Sequence, residues 1–208
     1  MISGRDISSA IAGTMMMGRA DERWPDRLDM STDAVFRSFW AVPLSLPPHL
    51  LAAEGARRLS IEAGQYSLAS VPPLAYGLSD TVVFVISWGL QLALLMSLAR
   101  RRGAGWKISP LIIGFNWAIF LSRLAYGLLL GVSLVAGLGV VAPIAVLAIF
   151  GFSIWLKWGV IRRTLDTTVM GTIGALSLIY IVAVATTLVL GSLFVAIGIL
   201  PTVQPAGS

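Results

Sequence analysis

The stretch GFNWAIFLSRLAYG, residues 114 to 127, is apolar enough to lie in a lipid bilayer, yet it contains Asn116 and Arg123. A helix that crosses the hydrocarbon core needs about 20 mostly apolar residues, and the apolar sequence continues on both sides of this stretch. A charge near the middle of such a helix costs roughly 2.5 kcal/mol even on the most lenient insertion scale. We therefore predict a transmembrane helix whose arginine has a partner inside the protein.

The composition places the whole chain in the membrane class. Of its 208 residues, 57% are hydrophobic and 12% are charged, against about 25% charged residues in soluble proteins. The net charge of +5 does not indicate nucleic-acid binding, because the basic residues lie at the ends of apolar runs, where they set membrane topology. The absence of cysteine excludes disulfides and thiolate chemistry.

The distribution of apolar runs predicts an all-α fold, a polytopic transmembrane bundle of five spanning helices. The predicted spans are residues 36–53, 81–99, 110–136, 141–160 and 168–200. Pro43, Pro47 and Pro48 should kink or break the first span, and GLGVVAP, residues 137 to 143, should turn the chain between the third and fourth. This domain, residues 36–200, follows an N-terminal segment of residues 1–35 and precedes a tail of residues 201–208.

The positions of lysine and arginine predict the orientation. With the N-terminus inside, twelve basic residues face the cytoplasm and two, Arg57 and Arg58, face outward. The positive-inside rule then gives a cytoplasmic N-terminus and a periplasmic C-terminus. We expect a bacterial inner membrane, and the arginine-rich, lysine-poor usage is compatible with a GC-rich bacterium. Residues 5 to 18 have helical spacing of apolar side chains, which leaves open an amphipathic helix at the membrane surface or a disordered tail.

Four polar side chains suggest how the second and third spans pair. Asn116 and Arg123 share one helical face, and so do Asp80 and Gln91. At about 1.5 Å per residue, Gln91 and Asn116 each lie roughly 13 Å from the inner loop, and Arg123 can reach the depth of Asp80. We predict a polar ladder with a Gln91–Asn116 amide pair and an Asp80–Arg123 ion pair. It is either interhelical glue or a path for a proton, an ion or a lipid headgroup.

Two further sets of residues are assigned to packing and to the membrane interface. Gly127 and Gly131 in GLLLG form the small-xxx-small pattern that lets helices approach closely. An aromatic and basic belt is expected at the inner boundary of the bilayer. Its members are Trp106, Trp155, Trp158, Lys157, Arg162 and Arg163.

No motif in the sequence indicates catalysis. The single histidine, His49, has no second histidine or thiolate to share a metal with, and we expect it to cap the outer interface. GLGVVA, residues 137 to 142, imitates a dinucleotide-binding fingerprint but joins two apolar spans without a βαβ unit. We expect no catalytic residues, no metal and no cofactor.

The segments FRSFWAVPLSLP at the first span and GFNWAIF at the third resemble bacterial members of the Yip family, the Ypt-interacting membrane proteins. The resemblance covers residues 31 to 200 and implies the five-span topology. The DLWGPL-type signature of the eukaryotic branch is absent, so a role in vesicle traffic is not implied. The family brings no catalytic residue to this chain.

Two functional hypotheses follow. The first is a non-catalytic scaffold or accessory component of a membrane assembly, in contact with the lipid bilayer and with a membrane-protein partner or further copies of itself. The second is a small oligomeric transporter or channel that uses the polar face of the second and third spans. A scaffold predicts that this face is buried and dry, whereas a transporter predicts that it is open to water.

Overall fold

The computed structural model describes residues 2–135 and 142–201, and these are α-helical with no β-strand. Short 3-10 turns and loops connect the helices of this part of the chain. The helices are α1 (Gly4–Gly18), α2 (Thr32–Ser38), α3 (Ala41–Glu62), α4 (Pro73–Arg101), α5 (Ile108–Val135), α6 (Ala142–Thr164) and α7 (Val169–Ala196).

Among the described residues, α4, α5, α6 and α7 are long and apolar enough to cross a membrane. They coincide with the last four predicted spans. Helix α4 begins earlier than predicted, at Pro73, because proline is well suited to a first helical turn. Helix α7 ends at Ala196, just before Gly198 takes a φ of +76°. The predicted turn falls largely on residues 136–141, and the predicted tail on residues 202–208, both outside the described residues.

The predicted first span has a different construction. The chain breaks at Phe39 and Trp40, between α2 and α3, and α3 then continues through Pro47 and Pro48. The predicted proline break is therefore wrong in its position. Helix α3 does not belong to the strongly apolar set, because its second half carries four charged side chains. These are Glu54, Arg57, Arg58 and Glu62.

The four apolar helices form a ring in which α5 packs against α6, α6 against α7 and α7 against α4. Helices α4 and α5 also contact each other and close the ring, and α3 packs against both of them. A Cβ added to Gly127 would lie 2.3 Å from the carbonyl oxygen of Pro48, and one added to Gly131 would lie 2.4 Å from Leu51. Gly127 therefore lets α5 approach the backbone of α3, and Gly131 makes room for the side chain of Leu51.

The N-terminal segment, for which the sequence allowed either a helix or a disordered tail, forms the helix α1. Ser3 and Asp6 close its first turn as a capping box. Its far end packs on α5 and α6, where Met17 is buried and a Cβ on Gly159 would lie 2.4 Å from the Met17 carbonyl oxygen. The helix α1 is thus part of the packed bundle.

Candidate functional site

A cavity of about 360 Å³ lies inside the ring of α4, α5, α6 and α7. This volume is at the lower end of the range of about 300–1,000 Å³ that small-molecule sites occupy. Much of the wall is apolar, and all four helices add polar side chains to it. The polar lining residues are Asp80, Ser87, Gln91, Ser122, Arg123, Tyr126, Ser153, Lys157, Tyr180 and Thr187.

Helical periodicity explains why these side chains meet. On α4, Asp80, Ser87 and Gln91 are spaced by seven and four residues, which places them on one face. On α6, Ser153 and Lys157 are four residues apart and also share a face. The cavity therefore collects the polar stripe of each helix and leaves its apolar sides for packing or for lipid.

Asp80 does not form the predicted ion pair with Arg123. Its carboxylate oxygen lies 3.3 Å from Nε2 of His49. The His49 ring stacks on Phe84 at 4.7 Å between centroids, and the Arg123 guanidinium lies over the same Phe84 ring at 4.5 Å. The prediction was wrong because α3 packs against both helices and places His49 next to Asp80.

The predicted amide pair is also replaced by other contacts. Oδ1 of Asn116 accepts a hydrogen bond of 2.9 Å from the indole N–H of Trp88, and Nδ2 donates one of 2.9 Å to Ser38. Gln91 donates to the hydroxyl of Ser87 at 2.8 Å, within α4. Asn116 consequently ties α5 to both α4 and α2, whereas Gln91 faces the cavity.

Arg123 and Lys157 are the two cations of the cavity wall. Lys157 is 8% exposed, and its Nζ lies 4.8 Å from the centroid of the Tyr180 ring. Neither cation has a hydrogen bond or a carboxylate within 4 Å among the residues that the structure describes. The aromatic rings stabilise such cations by about 0.5–2 kcal/mol. This contact does not use the N–H groups of the two cations, which can still donate to an anion.

The expected interfacial belt is only partly present. Trp106 is 76% exposed at the loop between α4 and α5, as a belt residue would be. Lys157 was assigned wrongly, since it faces the cavity. Trp155 lies against Gly18, because α1 covers this part of α6.

The other three belt residues lie at or near the C-terminal end of α6. Arg162 donates to the carbonyl of Thr167, and Arg163 donates to the carbonyl of Ala20 at 2.7 Å. Trp158 is partly buried against the hydrophobic core. The two arginines therefore fasten the end of α6 to neighbouring loops.

Sequence reasoning missed His49 as a member of the site. Its ring is 1% exposed, and both ring nitrogens are buried without a hydrogen-bond partner among the described residues. A sequence signal existed, since Ala41, Ser45 and His49 follow at intervals of four on the buried side of α3. This stripe of small residues indicates an inward face.

The described residues contain no group of three or more His, Asp or Glu side chains that could hold a metal ion. No family model matches the sequence, and neither a curated protein nor a solved structure is found to be similar to it.

Proposed function

We propose that this chain is an integral membrane protein that binds an anionic group within the membrane, in the cavity between α4 and α7. The observation that carries the proposal is the pair of cations, Arg123 and Lys157, on the wall of an open cavity without a carboxylate partner. One carboxylate, Asp80, lines the same wall, and it acts on Arg123 electrostatically without forming an ion pair within 4 Å.

A buried charge without a partner is unfavourable by roughly several kcal/mol. Of the residues that the structure describes, two cations and one carboxylate line the cavity, so its wall has an excess of positive charge, and a bound anion would regain part of this energy. Charge-assisted hydrogen bonds to arginine and lysine are about twice as strong as neutral ones. A bound anion is therefore the state that best satisfies the cavity.

The chemical class is a carboxylate, sulfonate or phosphate attached to a small body with apolar surface. The cationic and hydroxyl groups would hold the acidic group, and Phe84 and Phe150 would pack against the apolar part. The cavity has an opening, since the side chain of Asp80 is 43% exposed and Thr187 is exposed. The same chemistry fits a free organic anion or the headgroup of an anionic lipid.

We infer that the cavity meets water beside Asp80, whose side chain is 43% exposed. This favours the transporter hypothesis over the scaffold hypothesis, which requires a dry face. We place the protein in a bacterial inner membrane, as a Yip-like protein with α3 as a fifth, proline-containing membrane helix, the N-terminus inside and the C-terminus outside. The contacts of α3 with α5 support its place within the bundle. The charge asymmetry of the loops supports the orientation.

The test uses benzenesulfonate as a probe, because it stays ionised at all pH values that a protein tolerates. We expect the purified protein in mild detergent to bind benzenesulfonate in isothermal titration calorimetry. Binding should be at least about tenfold weaker in Arg123→Gln and in Lys157→Gln, the loss expected for one charge-assisted hydrogen bond of about 1.5–3 kcal/mol.

The matched controls separate site binding from general charge attraction. Benzenesulfonamide has nearly the same shape without the charge and should not bind, and Arg101→Gln removes an exposed arginine and should bind like the wild type. Native mass spectrometry of the protein purified from membranes identifies the source of the anion. A retained phosphatidylglycerol that is lost in Arg123→Gln indicates a lipid headgroup, whereas binding of free benzenesulfonate without retained lipid indicates a solute. Absence of both contradicts the proposal and favours the scaffold.

A further inference from the structure

We propose that the cavity takes up a proton together with the anion, and that this proton binds between Asp80 and His49. The inference rests on the proposed anion site and adds a second ligand to it. The ligand would then be an anion that binds together with a proton, as a weak acid or a proton-coupled solute would.

The geometry of the pair is that of a proton-binding site. Oδ2 of Asp80 lies 3.3 Å from Nε2 of His49, and that nitrogen is buried without a hydrogen bond in the described part of the chain. Neither ring nitrogen of His49 forms a hydrogen bond with a described residue, so the carboxylate of Asp80 lacks an aligned donor at this contact, which is unfavourable beside a buried ring. One added proton turns the contact into a hydrogen bond between the carboxyl group and the imidazole, whichever of the two carries it.

The charges of the cavity connect this proton to the anion. Asp80 acts electrostatically on Arg123, so an ionised Asp80 opposes an anion that approaches the same guanidinium. A proton on the Asp80–His49 pair removes this opposition, and the cavity then presents Arg123 and Lys157 alone. By linkage, an anion that binds better to the protonated site also raises the affinity of the site for the proton.

Other titratable or charged groups surround the pair, and the test must separate them from it. They are Tyr76 on α4, Arg123 and Tyr126 on α5, Lys157 on α6, Tyr180 on α7, and Arg57 of α3 beside Tyr76. Arg57 is held by Glu54. Of this set, Lys157 gives a competing explanation, since a lysine that gains a proton also attracts an anion.

The experiment measures benzenesulfonate affinity in detergent at about pH 5.5 and about pH 8. The wild type should bind about tenfold more tightly at the lower pH, within the range of about five to 150-fold that couplings between sites cover. Asp80→Asn imitates the protonated carboxyl group. It should bind at pH 8 as tightly as the wild type does at pH 5.5, with less than a twofold difference between the two pH values.

A second measurement needs no variant and covers the case in which Asp80→Asn does not fold. The enthalpy of benzenesulfonate binding is measured near neutral pH in two buffers with different ionisation enthalpies. A difference corresponding to proton uptake supports the proposal, and equal enthalpies contradict it.

The outcomes separate this inference from the proposed function. Equal wild-type affinity at both pH values overturns the proton site and leaves the anion site standing. A pH dependence that persists in Asp80→Asn and disappears in Lys157→Gln assigns the proton to Lys157 and contradicts the proposal. If benzenesulfonate binds at neither of the two pH values, the anion site is overturned, and the proton site with it.

Discussion

Asn116 shows how one buried amide can fix the relation of three helices. It is fully buried, accepts a hydrogen bond from Trp88 and donates one to Ser38. An amide offers both a donor and an acceptor, and both are used here between different elements. The polar residue that makes the opening stretch unusual for a membrane helix is thus used for packing, whereas Arg123 on the same helix faces the cavity.

Replacement of Asn116 by leucine should destabilise the protein by about 1–2 kcal/mol, because the N–H of Trp88 loses its acceptor in an apolar place. The free energy of unfolding is measured by titration with sodium dodecyl sulfate from mild detergent micelles. Ser97→Ala is the control, since the hydroxyl of Ser97 is exposed and bonds only to a carbonyl of its own helix. A loss for Asn116→Leu no larger than that for Ser97→Ala would contradict the role of Asn116.

Helix α3 is held to α5 by backbone contact at Gly127. Addition of one methyl group there meets the main chain of Pro48, which cannot move aside as the end of a flexible side chain can. In contrast, a Cβ on Gly174 of α7 meets no atom of the described structure within 4 Å. The two glycines have the same effect on helix propensity but different surroundings.

Gly127→Ala should therefore lower the melting temperature in detergent by several degrees and broaden the transition, because α3 must move away from α5. Gly174→Ala should leave the melting temperature unchanged or raise it, since alanine favours helix by up to about 1 kcal/mol over glycine. Equal effects of the two substitutions would show that α3 and α5 do not touch at this point.

Helix α1 is fastened to α6 in the same manner. A Cβ on Gly159 would collide with backbone atoms of Met17 and Gly18, whereas Gly151, on the same helix, has free space. Gly159→Ala should release α1 and expose the chain to trypsin at Arg19 and neighbouring basic residues. Cleavage is followed by mass spectrometry of the protein in detergent. Gly151→Ala should be cut at the wild-type rate, and a Gly159→Ala protein that is cut equally slowly would contradict the docking of α1.

The positions of α4 to α7 follow from the sequence because each is an apolar run of membrane-spanning length, ended by charges, glycine or proline. The choice of neighbours does not follow. Lipid chains are as apolar as leucine side chains, so the inward face of a membrane helix has no clear hydrophobic period. This is why the first span was predicted only as a kinked or broken helix over residues 36–53, and why the packing of α3 against both α4 and α5 was not foreseen.

Part of the candidate site could be predicted from the sequence. Asp80, Gln91 and Arg123 were identified as polar residues on inward faces, and they do line the cavity. Their partners depend on α3, which packs against both α4 and α5. No residue spacing within α4 or α5 predicts these contacts. Lys157 was assigned to the interface because it lies five residues before Arg162, although Ser153 one turn earlier indicates a polar face.

The orientation of the whole molecule in the membrane can be determined by labelling introduced cysteines, because the chain contains no native cysteine. Tyr66, between α3 and α4, and Trp106, between α4 and α5, are 73% and 76% exposed. In spheroplasts, Tyr66→Cys should react with a membrane-impermeant maleimide, whereas Trp106→Cys should react only after permeabilisation. The reverse pattern would contradict the proposed topology, because it places the N-terminus outside if α3 crosses the membrane, or inside if α3 does not cross.

The central claim is that an anion occupies the cavity beside Arg123 and Lys157. The most direct test is a crystal structure with 4-bromobenzenesulfonate, in which the anomalous signal of bromine locates the probe. We predict one strong peak inside the ring of α4 to α7, with the sulfonate in contact with Arg123, and a weaker peak in Arg123→Gln crystals soaked at the same concentration. Bromine peaks confined to the exposed basic ends of the helices, with the cavity empty, would contradict it.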